Sequence, residues 1–172
     1  NALLDDLNYI TKIDVSGMRH IILSYPESSI EAYELAEDIE LPKHILPKPR
    51  NIVFLGMGGS SIGANLVRAW ALERSQIPIV LCQEYHLPNF VDKNSFVVAV
   101  SYSGNTEETL TAFVEAAERG CTMASLASGG KLMEFSDELD VPCIQVPPGL
   151  PPRGALPYLF MPLLSLMNRV GI

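Results

Sequence analysis

The chain has 172 residues, 48% of them hydrophobic and 19% charged, and a formal net charge of −8. That length suits one ordinary domain with a sizeable core. The acidic balance excludes broad binding to nucleic acid or anionic membrane, partners that select basic surfaces, so any bound anion must be held by a local device acting against the overall field.

The N-terminal residues 1–49 read as a helical segment followed by a link. Ser28 and Glu31 have capping-box spacing, and Ile30, Tyr33, Ala36 and Ile39 share one face of a helix expected over 28–40. Pro42, Pro47 and Pro49 then break the pattern, placing a boundary between this segment and a domain at 50–172. From residue 51 short apolar runs alternate with amphipathic stretches. Strands are expected at 51–55, 77–83, 95–100, 121–126 and 141–146, and helices at 62–74, 106–119, 131–138 and 155–169. Such alternation predicts an α/β fold, and right-handed crossovers give a doubly wound, five-stranded parallel sheet of flavodoxin-like order 2-1-3-4-5.

The longest apolar stretch, 154–167, is interrupted by Pro157 and Pro162 and falls short of the ~20 residues of a membrane span. Cys82, Cys121 and Cys143 lack metal spacing and read as reduced, buried thiols of a cytoplasmic protein. Leu156, Leu159, Phe160, Met161, Leu163, Leu164, Leu166 and Met167 run nearly all the way round the final helix, which predicts cover from a partner domain or a homodimer. A first residue Asn1 and an end at Ile172 directly after that helix fit the N-terminal part of a longer protein.

Two loops carry the functional signal. Gly56, Met57, Gly58, Gly59 and Ser60 follow the first strand and open a helix, where free N–H groups and the positive end of the helix dipole bind phosphate without a cationic side chain. Gly56 and Gly58 also match the start of a dinucleotide fingerprint, with Glu84 as the ribose acid, but Ser61 occupies the third glycine position. Ser101, Tyr102, Ser103, Gly104, Asn105 and Thr106 follow the third strand and open another helix. Capping by Asn105 or Thr106 explains one polar group there but not Ser101 and Ser103 as well. In order 2-1-3-4-5 the first and third strands are neighbours, and the crevice between their carboxyl ends is the topological switch point where ligands bind.

The run Ser101 to Thr106 resembles the serine-rich loop of the SIS (sugar isomerase) domain. Gly56 to Ser60, the segments around Asp14 to Met18 and Tyr25 to Glu27, and Pro152 to Pro157 narrow the likeness to the bifunctional phosphoglucose/phosphomannose isomerases. That resemblance implies a phosphorylated hexose as partner, held by Ser101, Ser103 and Thr106, with Gly59 and Ser60 also in contact. It implies an electrostatic role for Arg153 on an enediolate, in aldose–ketose isomerisation of glucose 6-phosphate or mannose 6-phosphate to fructose 6-phosphate, a proton transfer for which no metal or redox cofactor is expected. The proton-transferring Glu, the ring-opening His and the Lys of such enzymes match nothing here and are expected in a second SIS domain. His20, His44, His86, Glu107 and Glu108 read as structural. The alternative is a non-catalytic SIS module that senses a phosphosugar.

Overall fold

The computed structural model describes residues 5–41 and 49–172; Pro42, Pro47 and His44 lie outside them. Three helices, α1 (Leu7–Ile13), α2 (Met18–Leu23) and α3 (Tyr25–Leu35), precede an alternating array. It comprises β1 (Asn51–Leu55), α4 (Ser60–Ala71), β2 (Ile79–Cys82), β3 (Ser95–Val100), α5 (Glu107–Glu118), β4 (Thr122–Ala127), α6 (Lys131–Glu138), β5 (Cys143–Gln145) and α7 (Leu156–Arg169). All strand pairs are parallel and their order is β2-β1-β3-β4-β5, as expected.

The continuous apolar runs make β1 and β3 the buried centre of the sheet, with every residue of both strands buried. Alternate side chains feed two cores. Ile52, Phe54, Phe96 and Val98 pack with Ala32 of α3, Ala64 and Val67 of α4, and Leu159 and Leu163 of α7. Val53, Leu55, Val97 and Ala99 pack on the opposite face with Ala112, Phe113 and Ala116 of α5 and Leu132 of α6. Helices α4 and α5 therefore leave β1 and β3 on opposite sides, which opens the crevice at their carboxyl ends.

One expectation is corrected. Helix α3 begins at Tyr25, ahead of the proposed capping box, because Pro26 in its first turn has a φ suited to helix initiation. Its inward positions are Ala32 and Ala36, whereas Ile30 is 65% exposed. The small inward residues let α3 lie against α7, where Tyr158 Oη donates to Glu31 Oε2 at 2.9 Å and the Arg169 guanidinium donates to the Ala36 and Ile39 carbonyls.

Helix α7 is covered by α3 on one side and α4 on another, which buries Leu159, Leu163, Leu166 and Met167, while Leu156, Phe160, Met161 and Leu164 stay half-buried. The α4 contact is close enough that a Cβ on Gly63 would lie 1.8 Å from the Leu159 carbonyl oxygen. Exposed large apolar side chains include Leu7, Ile13, Val15, Ile22, Leu23 and Ile30 on α1 to α3 and the turn before α2, with others on α4 (Ile62, Leu66) and in loops.

The three cysteines are unpaired; Cys82 is buried and the other two half-buried. Among the described residues no helix is long and apolar enough to cross a membrane.

Candidate functional site

Strands β1 and β3 end side by side, so closely that a Cβ on Gly56 would come within 2.9 Å of the Val100 carbonyl oxygen. The chain turns out of β1 through Gly58, which has a positive φ, and enters α4 at Ser60 with Gly59 in the N-cap position. Ser61, only 4% exposed, braces this turn: its hydroxyl donates to the Gly58 carbonyl at 2.8 Å and accepts from Gln83 Nε2 at 3.0 Å. Position 61 is thus a loop strut in the place a dinucleotide fingerprint reserves for its third glycine.

The turn out of β3 is held from three sides. Ser101 is fully buried, and its hydroxyl is paired with Thr106 Oγ1 at 3.0 Å. Thr106 occupies the N-cap position of α5 but makes no side-chain cap bond, so ordinary capping does not account for its hydroxyl. Asn105 caps a different helix, its Oδ1 accepting the Lys131 N–H at the start of α6 at 3.1 Å. Ser103 is exposed, and its Oγ accepts the Asn105 N–H at 3.3 Å. Between them Gly104 has φ +69° and sits where a Cβ would lie 1.8 Å from the Gly129 carbonyl oxygen. Only glycine tolerates both the backbone conformation and the close approach.

One hydrogen bond joins the two corners: the Tyr102 N–H donates to Ser60 Oγ at 3.1 Å. That bond sets the corner carrying Gly59 and Ser60 beside the one carrying Ser101, Ser103 and Thr106. The N–H groups of Gly58, Gly59, Ser103 and Thr106 have no protein acceptor among the described residues. With the positive ends of α4 and α5 at the same crevice, this is a donor-rich corner suited to a small anion.

Arg153 lies on the strap between β5 and α7. The residue before it, Pro152, comes against the first corner, its Cβ 3.9 Å from where a Gly59 Cβ would stand. The Arg153 side chain is exposed and has no ion pair among the described residues. Its carbonyl accepts the Tyr25 hydroxyl, which ties the strap to the first residue of α3.

The acidic and imidazole groups lie to one side. Glu107 lines an open groove of about 720 Å³ along α5, with Tyr85, His86, Leu110, Lys131 and Phe135. Glu108 and then burial push the Tyr85 phenol up. His86 Nδ1 stands 3.5 Å from the Glu115 carboxylate. Glu115 in turn accepts the Leu87 N–H at 3.1 Å and pairs with Arg119, whose guanidinium also donates to the Pro88, Val91 and Leu87 carbonyls. That cluster pins the loop after β2 to α5, which gives His86 and Glu115 a structural setting. No group of three or more His, Cys, Asp or Glu among the described residues is placed to hold a metal ion.

Sequence reasoning missed three contributors: Tyr102, Asn105 and Ser128. Ser128 precedes Gly129 and Gly130 in a third glycine-bearing turn, after β4, and that local signal matches the one that exposed the other two turns.

The sequence profile of the SIS domain matches residues 45–137, more than half of the chain. A bifunctional phosphoglucose/phosphomannose isomerase of Caldicellulosiruptor bescii is 40% identical over 151 residues, covering 88% of this chain and 44% of the relative. The protein of the same description from Thermoplasma acidophilum is 45% identical over 119 residues, covering 69% and 36%. The chain thus spans less than half the length of these relatives. Among solved structures, a Clostridium difficile protein assigned as a phosphosugar isomerase superposes with TM-score 0.67 at 20% identity, over 89% of this chain and 46% of that one. That likeness establishes the fold alone.

Proposed function

The chain belongs to the SIS domain family, and from that premise we propose that it is the phosphosugar-binding part of an aldose–ketose isomerase. Its substrates are glucose 6-phosphate and mannose 6-phosphate, interconverted with fructose 6-phosphate through a cis-enediolate. The observation that carries this reading is the 3.1 Å bond from the Tyr102 N–H to Ser60 Oγ, which locks two anion-binding corners into one crevice.

In this reading Ser103, Thr106 and the free amides of both corners hold the phosphate, with Ser101 fixing Thr106 from below and turning towards the ligand when it arrives. Gly59 and Ser60 meet the same sugar phosphate at the α4 terminus. Arg153 supplies the positive charge for the oxyanion that develops between C1 and C2, an electrostatic task suited to a guanidinium. The base, the ring-opening acid and a lysine come from the part of the protein beyond this chain. The reaction is a proton transfer, so general acid–base groups suffice for it. The exposed apolar side chains on α1 to α3 favour contact with a second SIS domain or a second copy of the chain. Three unpaired thiols favour the reducing cytoplasm.

Calorimetric titration with fructose 6-phosphate tests the cradle. Hydrogen bonds to a charged group contribute about 1.5–3 kcal/mol each. A Ser101→Ala, Ser103→Ala variant should therefore lose at least about a hundredfold in affinity while keeping its circular dichroism. Equal affinity in parent and variant would remove the site from this crevice.

A further inference from the structure

We infer that Tyr102 is a positioning residue, one that fixes the Arg153 strap against the phosphate corner; this rests on the function proposed above. Each polar atom of Tyr102 bonds a different segment at the carboxyl end of the sheet. Its N–H donates to Ser60 Oγ in the corner after β1. Its carbonyl accepts both the N–H and the hydroxyl of Ser128, at 2.9 and 2.6 Å, in the turn after β4. Its phenol donates to the Pro147 carbonyl at 2.8 Å and accepts the Leu150 N–H at 2.8 Å, both in the strap after β5.

Apart from the Tyr25 hydroxyl on the Arg153 carbonyl, the strap has few other means of attachment. Pro147, Pro148, Pro151 and Pro152 have no N–H to donate, so between residues 147 and 152 only Gly149 and Leu150 can. The Tyr102 phenol takes the Leu150 donor and supplies the bond to Pro147, closing a turn just before Arg153. The ring is half-buried against the core that includes Val146, Ala155 and Tyr158, so the hydroxyl is held by packing on a residue whose neighbours, Ser101 and Ser103, belong to the phosphate corner. The phosphate corner and the strap backbone that leads into Arg153 are thus tied together, the phenol holding residues 147 and 150 while the Tyr25 hydroxyl holds the Arg153 carbonyl. A displacement of about 1 Å at a reacting centre costs on the order of a hundredfold in rate.

The test uses Tyr102→Phe in the intact protein that contains this chain, because the ring and both backbone contacts survive that change. The expected result is a fall in kcat of about tenfold to a hundredfold with KM for fructose 6-phosphate within about twofold, since phosphate anchoring is untouched. Tyr102→Phe combined with Arg153→Ala should be no slower than Arg153→Ala alone, because Tyr102 acts through Arg153. Unchanged kcat, or losses that multiply in the double variant, would overturn the inference. Amide hydrogen exchange separates this from failure of the proposed function. The Leu150 N–H should be protected in the parent and exchange at least about tenfold faster in Tyr102→Phe, whatever the protein catalyses. An unprotected Leu150 amide in the parent refutes the tether by itself, with no variant needed. A protected amide in a parent that neither binds nor isomerises phosphosugars leaves the tether standing, refutes the proposed function and ends Tyr102's role in it.

Discussion

Replacing Thr106 by valine separates a site hydroxyl from a helix cap. At most N-caps, loss of Thr costs about 1 kcal/mol because an amide loses its acceptor. Here Thr106 makes no cap bond and its backbone is extended, at φ -73° and ψ 115°. That conformation is comfortable for a β-branched residue. Among the described residues the only side-chain bond lost is the 3.0 Å contact with Ser101 Oγ, and Ser101 is fully buried. Thr106→Val therefore leaves a buried hydroxyl without its partner, a cost of about 1–3 kcal/mol. Ser101→Ala is milder, about 0.5–1.5 kcal/mol, because the half-buried Thr106 can turn to solvent. The double variant leaves no orphan, so it should be about as stable as Ser101→Ala alone and more stable than Thr106→Val. Urea denaturation of the four proteins measures this directly, and each kcal/mol moves the melting temperature by about 2–4 °C. Additive losses, or a Thr106→Val protein as stable as the parent, would show that the pair does not hold the corner together.

Three further outcomes follow from the packing. The methyl group of Gly63→Ala would lie 1.8 Å from the Leu159 carbonyl oxygen. Backbone has to shift to admit it, so the variant should lose about 2 kcal/mol or more in the same denaturation assay. Burial works to raise the Glu115 carboxyl, but the Leu87 amide, Arg119 and His86 outweigh it and hold Glu115 below its ordinary 4.5. A depressed folded value stabilises above the unfolded value, and that stability is lost as pH falls from about 4.5 through the folded value. Glu115→Gln should flatten the stability–pH curve in that window, as read by melting temperature. Burial pushes the Cys121 thiol up to about 11 against Arg119's opposing pull, and raises Cys82 and Cys143 as well. Native Cys121 should react with iodoacetamide at pH 8 about a hundredfold more slowly than an ordinary thiol, and denaturant should abolish the difference.

The fold was legible where burial leaves only one pattern available. β1 and β3 are covered on both faces, so they read as unbroken apolar runs, and their bounds in the structure match those expected. α6 likewise spans its expected 131–138. Elements whose ends depend on one local bond were harder. β2 starts at Ile79 rather than residue 77, because Ser75 Oγ accepts the Ile77 N–H and bends the chain there. The burial of α7 was illegible because hydropathy counts apolar faces without saying what lies opposite them. What covers one face is Ala32 and Ala36, two small residues far upstream in the chain. The same blindness hid Tyr102 and Asn105. An aromatic and an amide inside a serine-rich turn read as local turn chemistry, whereas their bonds run to residues 147, 150 and 131.

The proposed cradle, amides and hydroxyls on an acidic chain, predicts an unusual relation to salt. With a net charge of −8, the distant field would repel a phosphate, while the helix termini and Arg153 would attract it at short range. The Debye length falls from about 30 Å at 0.01 M salt to about 8 Å at 0.15 M. Added salt therefore screens the long-range repulsion more completely than it screens donors in direct contact with the ligand. A site built on clustered lysines would lose affinity steeply over that range. Here fructose 6-phosphate affinity should stay within about twofold or tighten as sodium chloride rises from 10 to 150 mM (roughly the span of those screening lengths), measured by calorimetry at constant pH. A tenfold weakening would mean that long-range attraction from basic side chains does most of the holding, and the amide-and-hydroxyl account of the crevice would be wrong.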